Sequence, residues 1–425
     1  MSSRRLPFQG LTPKAWQNLG LSATGVYYFL WFLMPLTQHL LFLALASDYL
    51  AFWSAGYIAN QQGYPQVYDL QTLTEVQKPL VPNPDPEMLV FSPLPAPYLP
   101  VFLLPFRLLA RLPLQVSFWV WDILNLIVAI AYLIHLGRRF APLSQIKRPI
   151  LFLLFSFAVF SNFFWGQLDV WLMICVGEFF WNLHRGRPFP AGLWLGGMLL
   201  KPQLLILVVP LLLVRRAWRV LGGFALAGGA VGAASAALLG KEGIVNFLQM
   251  SRFWGKSEGT LAAINPANMM NWRMVWEHLH RWTGAEVALG VALAGTLVML
   301  GVELHSWFSR QAGEDDWLTP LLGIFATTLL VTWHAHYHMA VVLLPLLLVA
   351  LLTGCLAFRF VLWWVFLPPL VQFLSFVGGV LSHPGAIHPY TGLNSFLTGL
   401  AMMGTTALFL FRRPEMQKRC RAGMV

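Results

Sequence analysis

Long uncharged apolar runs constrain this chain more than any other feature. Runs such as 151–160, 204–214 and 340–352 contain no Asp, Glu, Lys or Arg. Helices of soluble proteins are apolar along one stripe, whereas these runs are apolar on every side. Only 11% of the residues are charged, against roughly 25% in soluble domains. Because the alternation of a transmembrane β-barrel is absent, the sequence predicts an all-α integral membrane protein.

The basic residues are distributed as in a membrane protein. The formal net charge is +11, and short Lys/Arg clusters stand at the ends of apolar runs, at 137–139, 185–187, 215–219 and from Arg412 onward. This placement follows the positive-inside rule and argues against a nucleic-acid groove. It predicts a multi-pass protein of the inner (plasma) membrane with both termini in the cytoplasm and no nucleic-acid partner.

Placing the basic clusters inside gives a topology of about twelve transmembrane helices. We expect one polytopic domain over residues 1–425, whose outer loops 47–113 and 241–284 form the active-site cavity. Within the first loop, 96–112 is predicted to be a re-entrant or interfacial helix. Two hairpins of short helices, with tips at Gly166-Gln167 and Lys201-Pro202, have arms below the ~20 residues of a full crossing. Other spans are predicted over 26–46, 114–136, 220–239, 286–308, 317–333, 339–354, 360–380 and 392–411.

This topology places polar and aromatic side chains together at the non-cytoplasmic end of the bundle. A cavity lined by them could hold a polar substrate beside lipid. Isolated polar residues inside the spans are instead expected to hydrogen-bond between helices; they are Asp122, Asn125, Glu178, Glu303 and Gln372. The residues at the outer rim are Asp48, Tyr49, Trp53, Tyr64, Tyr68, Asp69, Ser92, Gln167, Asp169, Lys201, Gln203, Asn265, Asn268, Arg273, His334, His336 and His338.

Two charged residues of this rim suggest chemistry. Asp48 follows the first span, where a carboxylate can stay ionised and act as a general base. Tyr49 and Trp53 beside it could pack on sugar rings, although an interfacial Asp with an aromatic belt is an equal alternative. Lys201 stands in an otherwise uncharged run, where insertion costs roughly 2.5–3.5 kcal/mol. Its ammonium suits a lipid phosphate, and the alternative is a Lys that snorkels to the interface.

Metal and disulfide chemistry have little support. His334, His336 and His338 alternate, and residues two apart on a helix do not share a face. Only an extended segment would align them, so contacts to a phosphate or hydroxyl are favoured over a metal site. No cofactor is certain, although Asp48 and Asp69 could share a divalent cation. The three cysteines, Cys175, Cys355 and Cys420, lie far apart and predict no disulfide framework.

Several motifs occur in a characteristic order. They resemble those of glycosyltransferase family 87, whose members have the C-type glycosyltransferase fold and include polyprenyl-phosphate-mannose-dependent mannosyltransferases. The motif F-S-P-L-P departs from the more usual F-x-Y-P-P, which puts a role for that Tyr in doubt. In chain order the motifs are D-Y-L-A-F-W-S-A-G (48–56), G-Y-P-Q-V-Y-D (63–69), F-S-P-L-P (91–95), L-P-L-Q-V-S-F-W-V-W (112–121), G-Q (166–167), R-G-R-P-F-P-A-G-L-W-L-G-G-M-L-L-K-P (185–202), N-P-A-N-M-M-N-W-R (265–273) and W-H-A-H-Y-H-M (333–339).

The resemblance implies an inverting transfer of a sugar, with mannose as the family default. The donor would be a polyprenyl-phosphate sugar, and the acceptor a lipid or glycan on the non-cytoplasmic face, in contact with membrane lipids. The family's catalytic carboxylate falls on Asp48. The substrate-binding residues implied are Tyr49, Trp53, Tyr68, Gln167, Lys201, Asn265, Asn268, Arg273, His336 and His338.

Two other functions stay open at this point. A transporter or flippase of lipids or polyisoprenoid-linked glycans would also carry polar groups and short helices within the membrane. Such proteins usually show internal repeats, and no repeat is visible here. A ligase-type enzyme of the C-type fold would use a pyrophosphate-linked donor and an Arg-rich outer loop, for which Arg252, Arg273 and Arg281 are modest support.

Overall fold

The protein is helical throughout the part that the structure describes. The computed structural model describes residues 12–37, 41–42, 45–81, 93–256, 266–309, 317–382 and 392–423, and these contain no β-strand beyond two isolated bridges. Short 3-10 helices lie at Tyr64–Tyr68, Lys78–Leu80, Gly197–Leu200, Pro202–Leu205, Pro266–Asn268 and Tyr337–Leu343. The α-helices are α1 (Pro13–Thr37), α2 (Ser47–Gln61), α3 (Leu70–Gln77), α4 (Pro100–Leu109), α5 (Leu114–Gly137), α6 (Leu143–Leu154), α7 (Phe157–Trp165), α8 (Asp169–His184), α9 (Pro188–Gly196), α10 (Val208–Val214), α11 (Trp218–Lys256), α12 (Trp272–Thr283), α13 (Ala285–Phe308), α14 (Leu318–Val331), α15 (Leu344–Leu352), α16 (Phe358–Ser382), α17 (Gly392–Phe411) and α18 (Arg413–Gly423).

Long apolar helices make this a multi-pass membrane protein. Six helices among the described residues are long and apolar enough to cross a bilayer, namely α1, α5, α11, α13, α16 and α17. The pair α6 and α7, bent by 60° at its break, raises the number to seven if it forms one span. The predicted twelve crossings are thus matched only in part, because the other apolar helices are shorter than a perpendicular crossing requires. They lie at Pro100–Leu109, Pro188–Leu200, Pro202–Val214, Leu318–Val331 and Tyr337–Leu352.

The short helices form the interior. Almost every residue of α14 is buried, and every residue of α15 from Leu344 to Ala350 is buried. Helix α8 packs against α9, α15 and the 3-10 helix Tyr337–Leu343, which also packs against α7. Because these helices are surrounded by protein, their breaks need not be satisfied by lipid. The broken ends of the inner helices are where the polar residues of the site are found.

The first helix differs from its predicted bounds of 26–46. Helix α1 begins at Pro13 and ends at Thr37. Pro is favoured in the first turn of a helix, and the Thr12 hydroxyl oxygen accepts a hydrogen bond from the backbone N–H of Ala15 at 3.2 Å. The helix therefore starts at its cap, ahead of the apolar run from which the span was predicted.

The predicted outer loop 241–284 is helical over much of its length. Helix α11 continues to Lys256 past a break at Gly240, whose φ is 59°. Helix α12 follows, and the side-chain oxygen of Asn271 caps it by accepting from the N–H of Met274 at 3.1 Å. Helix α12 is strongly amphipathic and packs against α13 and α17, so its polar composition belongs to a half-buried helix.

The expectation that polar residues inside the spans hydrogen-bond between helices is confirmed for one residue and needs correction for two others. Gln372 accepts a hydrogen bond from the Tyr27 hydroxyl at 2.8 Å, as predicted for interhelical contacts. Asp122 Oδ1 and Asn125 Nδ2, however, have no hydrogen-bond partner among the described residues.

The expectation of no disulfide was also wrong. Cys355, just after α15, and Cys420, on α18, form a disulfide with a Cα–Cα distance of 4.6 Å. Helix α18 packs against α14 and α17, and this places Cys420 beside the end of α15. Since the two cysteines are 65 residues apart, only tertiary packing could reveal the pairing. Cys175 is free and buried.

Candidate active site

A cavity of about 310 Å³ lies where several interrupted helices meet. It is bounded by the start of α2, by residues 94–98, by the two predicted hairpin tips and by the segment that joins α14 to the next 3-10 helix. Its walls combine apolar side chains with a few polar groups, as is typical of small-molecule sites. The lining residues are Asp48, Ala51, Phe52, Leu94, Pro95, Pro97, Tyr98, Gln167, Leu200, Lys201, Pro202, Gln203, Thr332, Trp333, His334, His336 and His338.

Asp48 lies in the first turn of α2, where the helix dipole stabilises a carboxylate. The backbone N–H of Ala46, just before the helix, donates to the Phe164 carbonyl at 2.9 Å and ties α2 to α7. Asp48 Oδ2 accepts a hydrogen bond from Gln167 Nε2 at 2.5 Å. Burial raises the pKa of Asp48 above its ordinary value, while His338, the Gln167 amide and Lys201 oppose the rise. A carboxylate with a raised pKa is a stronger base than one in water.

Gly166 makes the turn that presents Gln167. It ends α7 in the left-handed conformation, with φ 70°. A Cβ at this position would lie 2.7 Å from the Cβ of Tyr49, so both the backbone and the packing require glycine. The Gln167 backbone N–H donates to the Asn162 carbonyl at 2.8 Å, and this fixes the turn.

Lys201 is buried and paired with a carboxylate. It stands between the 3-10 helices Gly197–Leu200 and Pro202–Leu205, at a helix break that Pro202 enforces. Lys201 Nζ lies 2.6 Å from Asp169 Oδ1, with side-chain exposures of 4% and 0%. It also donates to Gln167 Oε1 at 3.0 Å. One ammonium thus connects Asp169 to the amide that holds Asp48.

Three histidines reach the cavity from the chain around the break between α14 and the 3-10 helix Tyr337–Leu343. The backbone at His336 is extended, with φ −81° and ψ 163°, and this residue forms an isolated bridge with Met269. His334, which precedes the 3-10 helix, and His338, which lies within it, line the cavity together with His336. The His336 Nδ1 lies 3.1 Å from the Asn268 carbonyl.

His338 Nδ1 lies 2.5 Å from Asp169 Oδ2. Burial, and next to it Lys201, lowers the pKa of His338, and the Asp169 carboxylate opposes this. Burial and the other two histidines hold the pKa of His336 well below its ordinary value. Among the described residues, no group of three or more His, Cys, Asp or Glu side chains is arranged to hold a metal ion.

Comparison with known families gives one match. The family model for glycosyltransferase family 87 matches residues 97–332, which is more than half of the 425-residue chain. The chain belongs to glycosyltransferase family 87. This confirms the resemblance carried by the sequence motifs, and the protein is a membrane glycosyltransferase. No curated protein and no solved structure matches the chain.

Family 87 membership also weighs on the open alternatives. It favours a transferase over a transporter or flippase, because it implies a sugar donor and an acceptor. The matched residues include Gln167 and Lys201 but not Asp48, His336 or His338. The cavity therefore joins residues from inside and outside the matched segment, and the tertiary structure is what brings them together.

The structure places five of the predicted site residues on the cavity wall. They are Asp48, Gln167, Lys201, His336 and His338.

Three predicted aromatic residues do not line this family 87 cavity. The Tyr49 hydroxyl lies 2.6 Å from Ser117 Oγ, and its ring is buried. Trp53 Nε1 donates to the Leu112 carbonyl at 3.1 Å. The Tyr68 hydroxyl donates at 2.6 Å to the carbonyl of Tyr98, which does line the cavity. These contacts join the first loop to α5 and join distant parts of the loop to each other.

The predicted residues of the second loop lie behind the wall or outside the described part. Asn268 contacts His336 through its carbonyl oxygen and accepts from the Ser395 hydroxyl at its side chain. Arg273 stacks on Trp333 at 4.1 Å from the ring centroid and donates to its carbonyl at 3.3 Å. Asn265 lies outside the described residues.

The carboxylate proposed to share a cation with Asp48 has another role. Asp69 Oδ2 caps α3 by accepting from the N–H of Thr72 at 2.7 Å, and it does not line the cavity. Sequence reasoning missed Tyr98, and it gave no site role to Asp169, Gln203 and His334, which it placed at the rim. For Asp169 the available signal was its position two residues after Gln167.

Proposed function

We propose that this family 87 enzyme transfers a hexose from a polyprenyl-phosphate donor to a hydroxyl group of a lipid or glycan acceptor, with inversion. Mannose is the default sugar of the resemblance. The observation that carries the proposal is the Asp48 carboxylate, held by Gln167 in a cavity that also contains the buried cation Lys201. A base and a cation in one small apolar cavity suit the transfer of a sugar from a phosphate.

Asp48 is the general base of this mechanism. Its carboxylate removes the proton of the acceptor hydroxyl while the acceptor oxygen attacks the anomeric carbon. The bond from the anomeric carbon to the phosphate oxygen breaks on the opposite face, so the configuration inverts. Phosphate is a good leaving group, and no general acid is required. The hydrogen bond from Gln167 fixes the carboxylate against the acceptor.

Lys201 is the group that meets the phosphate. A lysine ammonium has three N–H groups; Lys201 donates one hydrogen bond, to Gln167, and forms an ion pair with Asp169. It can therefore donate another hydrogen bond to a phosphate oxygen at the cavity wall, where a charge-assisted hydrogen bond is strong. Because Asp169 already balances the Lys201 charge, the dianionic phosphate product is held less tightly than by an unpaired cation, which favours its release.

The membrane position supports a lipid-linked donor. The long helices expose large apolar side chains, among them Ile123, Ile127 and Leu297, so a polyprenyl chain can lie beside the protein. If the basic clusters lie on the cytoplasmic side, the cavity faces the non-cytoplasmic side of the inner (plasma) membrane. The acceptor would then belong to the cell envelope.

The test is transfer from radiolabelled polyprenyl-phosphate mannose by the purified enzyme in lipid nanodiscs. Asp48→Asn should abolish transfer while helix content and elution volume stay unchanged. Asp69→Asn is the matched control, since this carboxylate of the same loop lies off the cavity and caps α3. Transfer by Asp48→Asn within tenfold of the wild type would contradict the role of the base.

A further inference from the structure

The buried carboxylate of Asp169 organises one side of the cavity without lining it. Its side chain is fully enclosed, and each oxygen faces a different basic group. Oδ1 lies 2.6 Å from Lys201 Nζ, and Oδ2 lies 2.5 Å from His338 Nδ1. Its backbone N–H donates to Asn162 Oδ1 at 3.2 Å, at the first turn of α8. The side chain is thus held by two basic groups, and the backbone of the same residue is fixed by Asn162.

The contact between Asp169 Oδ2 and His338 Nδ1 fixes the tautomer of His338. A carboxylate oxygen only accepts hydrogen bonds, so the ring nitrogen that faces Asp169 must carry a proton. The other nitrogen, Nε2, then holds a lone pair in the neutral ring. His338 lines the cavity, and no described residue hydrogen-bonds Nε2. The lone pair of Nε2 is therefore available on the cavity side.

We propose that Asp169 is a positioning residue that holds His338 as the second proton-carrying group of the site, with Nε2 as the proton acceptor. This inference rests on the proposed glycosyl transfer. The proton of the acceptor hydroxyl passes first to the Asp48 carboxylate and then to Nε2 of His338, while the new glycosidic bond forms and the phosphate departs with its bonding electrons. Asp48 is thereby returned to the carboxylate form, and the Asp169 carboxylate stabilises the imidazolium.

The charges around His338 suit this role. Burial and Lys201 keep the resting ring neutral, so that it can accept a proton. Asp169 then stabilises the protonated ring, as the carboxylate does in Ser-His-Asp enzymes. The titratable and charged groups that act on His338 or on the neighbouring rings are Asp48, Asp169, Lys201, Arg273, His334 and His336.

A different role for Asp169 would be that of a counter-ion to Lys201 and nothing more. Kinetics of Asp169→Asn, His338→Gln and the double variant distinguish the two roles. Glu178→Gln is the matched control, because Glu178 is another carboxylate of α8 that forms an ion pair, with Arg139 at 2.8 Å, and it does not line the cavity.

If Asp169 acts through His338, its loss lowers kcat by about 100-fold or more and does not raise the KM for the donor, because the Lys201 ammonium stays in place without its counter-charge. The double variant should then be no slower than His338→Gln alone, because the two residues act as one unit. Removal of the carboxylate lowers the pKa of His338 and that of Asp48, so the acidic limb of the pH–rate profile should move to lower pH in Asp169→Asn. In His338→Gln the contribution of His338 should be absent, and the acidic limb that remains is that of Asp48. The proposal would be overturned if the activity loss of the double variant were the product of the two single losses and the pH–rate profile of Asp169→Asn were unshifted.

A measurement without turnover keeps the inference separate from the proposed function. Nitrogen-15 NMR of histidine-labelled wild-type enzyme in nanodiscs, with His338 assigned by its absence in His338→Gln, should show a protonated Nδ1 and an unprotonated Nε2. The opposite tautomer would refute the inference even in an active enzyme. If the wild type fails to use polyprenyl-phosphate mannose while Nδ1 is protonated, the donor is wrong and the Asp169–His338 pair stands.

Discussion

Removal of the Lys201 charge should cost more stability than any change at the surface of this protein. The Lys201 and Asp169 side chains are 4% and 0% exposed, so solvent screens their attraction little. The variant Lys201→Met keeps most of the packing volume but leaves the Asp169 carboxylate buried beside His338 without its strongest counter-charge. Breaking one half of a buried pair typically costs about 3–5 kcal/mol, and we expect a loss of this size.

The double variant Lys201→Met/Asp169→Asn separates charge from packing. With both charges removed, no uncompensated ion is buried, and Asn can still accept a hydrogen bond from His338. Replacement of a whole buried pair by neutral groups is often nearly neutral. We therefore expect the double variant to recover most of the free energy of unfolding, although neither variant should transfer sugar at the wild-type rate.

The assay is equilibrium unfolding in mixed micelles, followed by circular dichroism. Arg419→Met is the matched control, because the Arg419–Glu415 pair is 44% and 36% exposed and should contribute about 1 kcal/mol or less. A Lys201→Met protein whose free energy of unfolding lies within about 1 kcal/mol of the wild type would refute the reasoning. A double variant less stable than Lys201→Met would refute it equally.

Three further perturbations probe the framework of the site. Tyr49→Phe should lose about 1 kcal/mol with its bond to Ser117 and keep its affinity for the donor; a raised KM would restore Tyr49 as a substrate-binding residue. Gly166→Ala should lose about 2 kcal/mol or more, since it strains a φ of 70° and meets the Tyr49 Cβ; an unchanged unfolding curve would contradict this. Arg413→Met should cost about 3–5 kcal/mol by stranding Glu303, at 1% exposure, and Glu303→Gln added to it should recover part of the loss.

The long helices could be predicted well from the sequence because lipid imposes one simple requirement on them. Helices α13 and α17 have bounds within one residue of the predicted spans, and α16 lies within two. Hydropathy sets these bounds where the whole circumference of a helix faces lipid or other helices. Hydropathy predicts α1 less well, because the start of this helix depends on a cap. It also predicts α12 poorly, because the polar residues of this packed helix resemble those of a loop.

It was harder to predict which face of α2 points into the cavity. This explains why Tyr49 and Trp53, which neighbour Asp48, were predicted to bind substrate although they do not line the cavity. On α2 the residues that line the cavity are Asp48, Ala51 and Phe52, which follow the i, i+3, i+4 spacing of one helical face. Tyr49 and Trp53 lie four residues apart on another face, which packs on α5 and on the end of the first loop. A helical reading from Asp48 could have excluded both aromatics from the cavity. The acidic residue in the first turn of α2 was the available signal for a helix that begins at Ser47.

The histidines show why a site in a membrane protein is best sought where helices are broken. Within an α-helix, His336 would point away from the face that His334 and His338 share. Here α14 ends at Val331, and the chain is not helical until the 3-10 helix begins at Tyr337. The same principle applies to Gly166-Gln167 and to Lys201-Pro202, where α7 and a 3-10 helix end. Backbone that does not complete a helix cannot face lipid, so these breaks must converge in the interior, and polar side chains at the breaks converge with them.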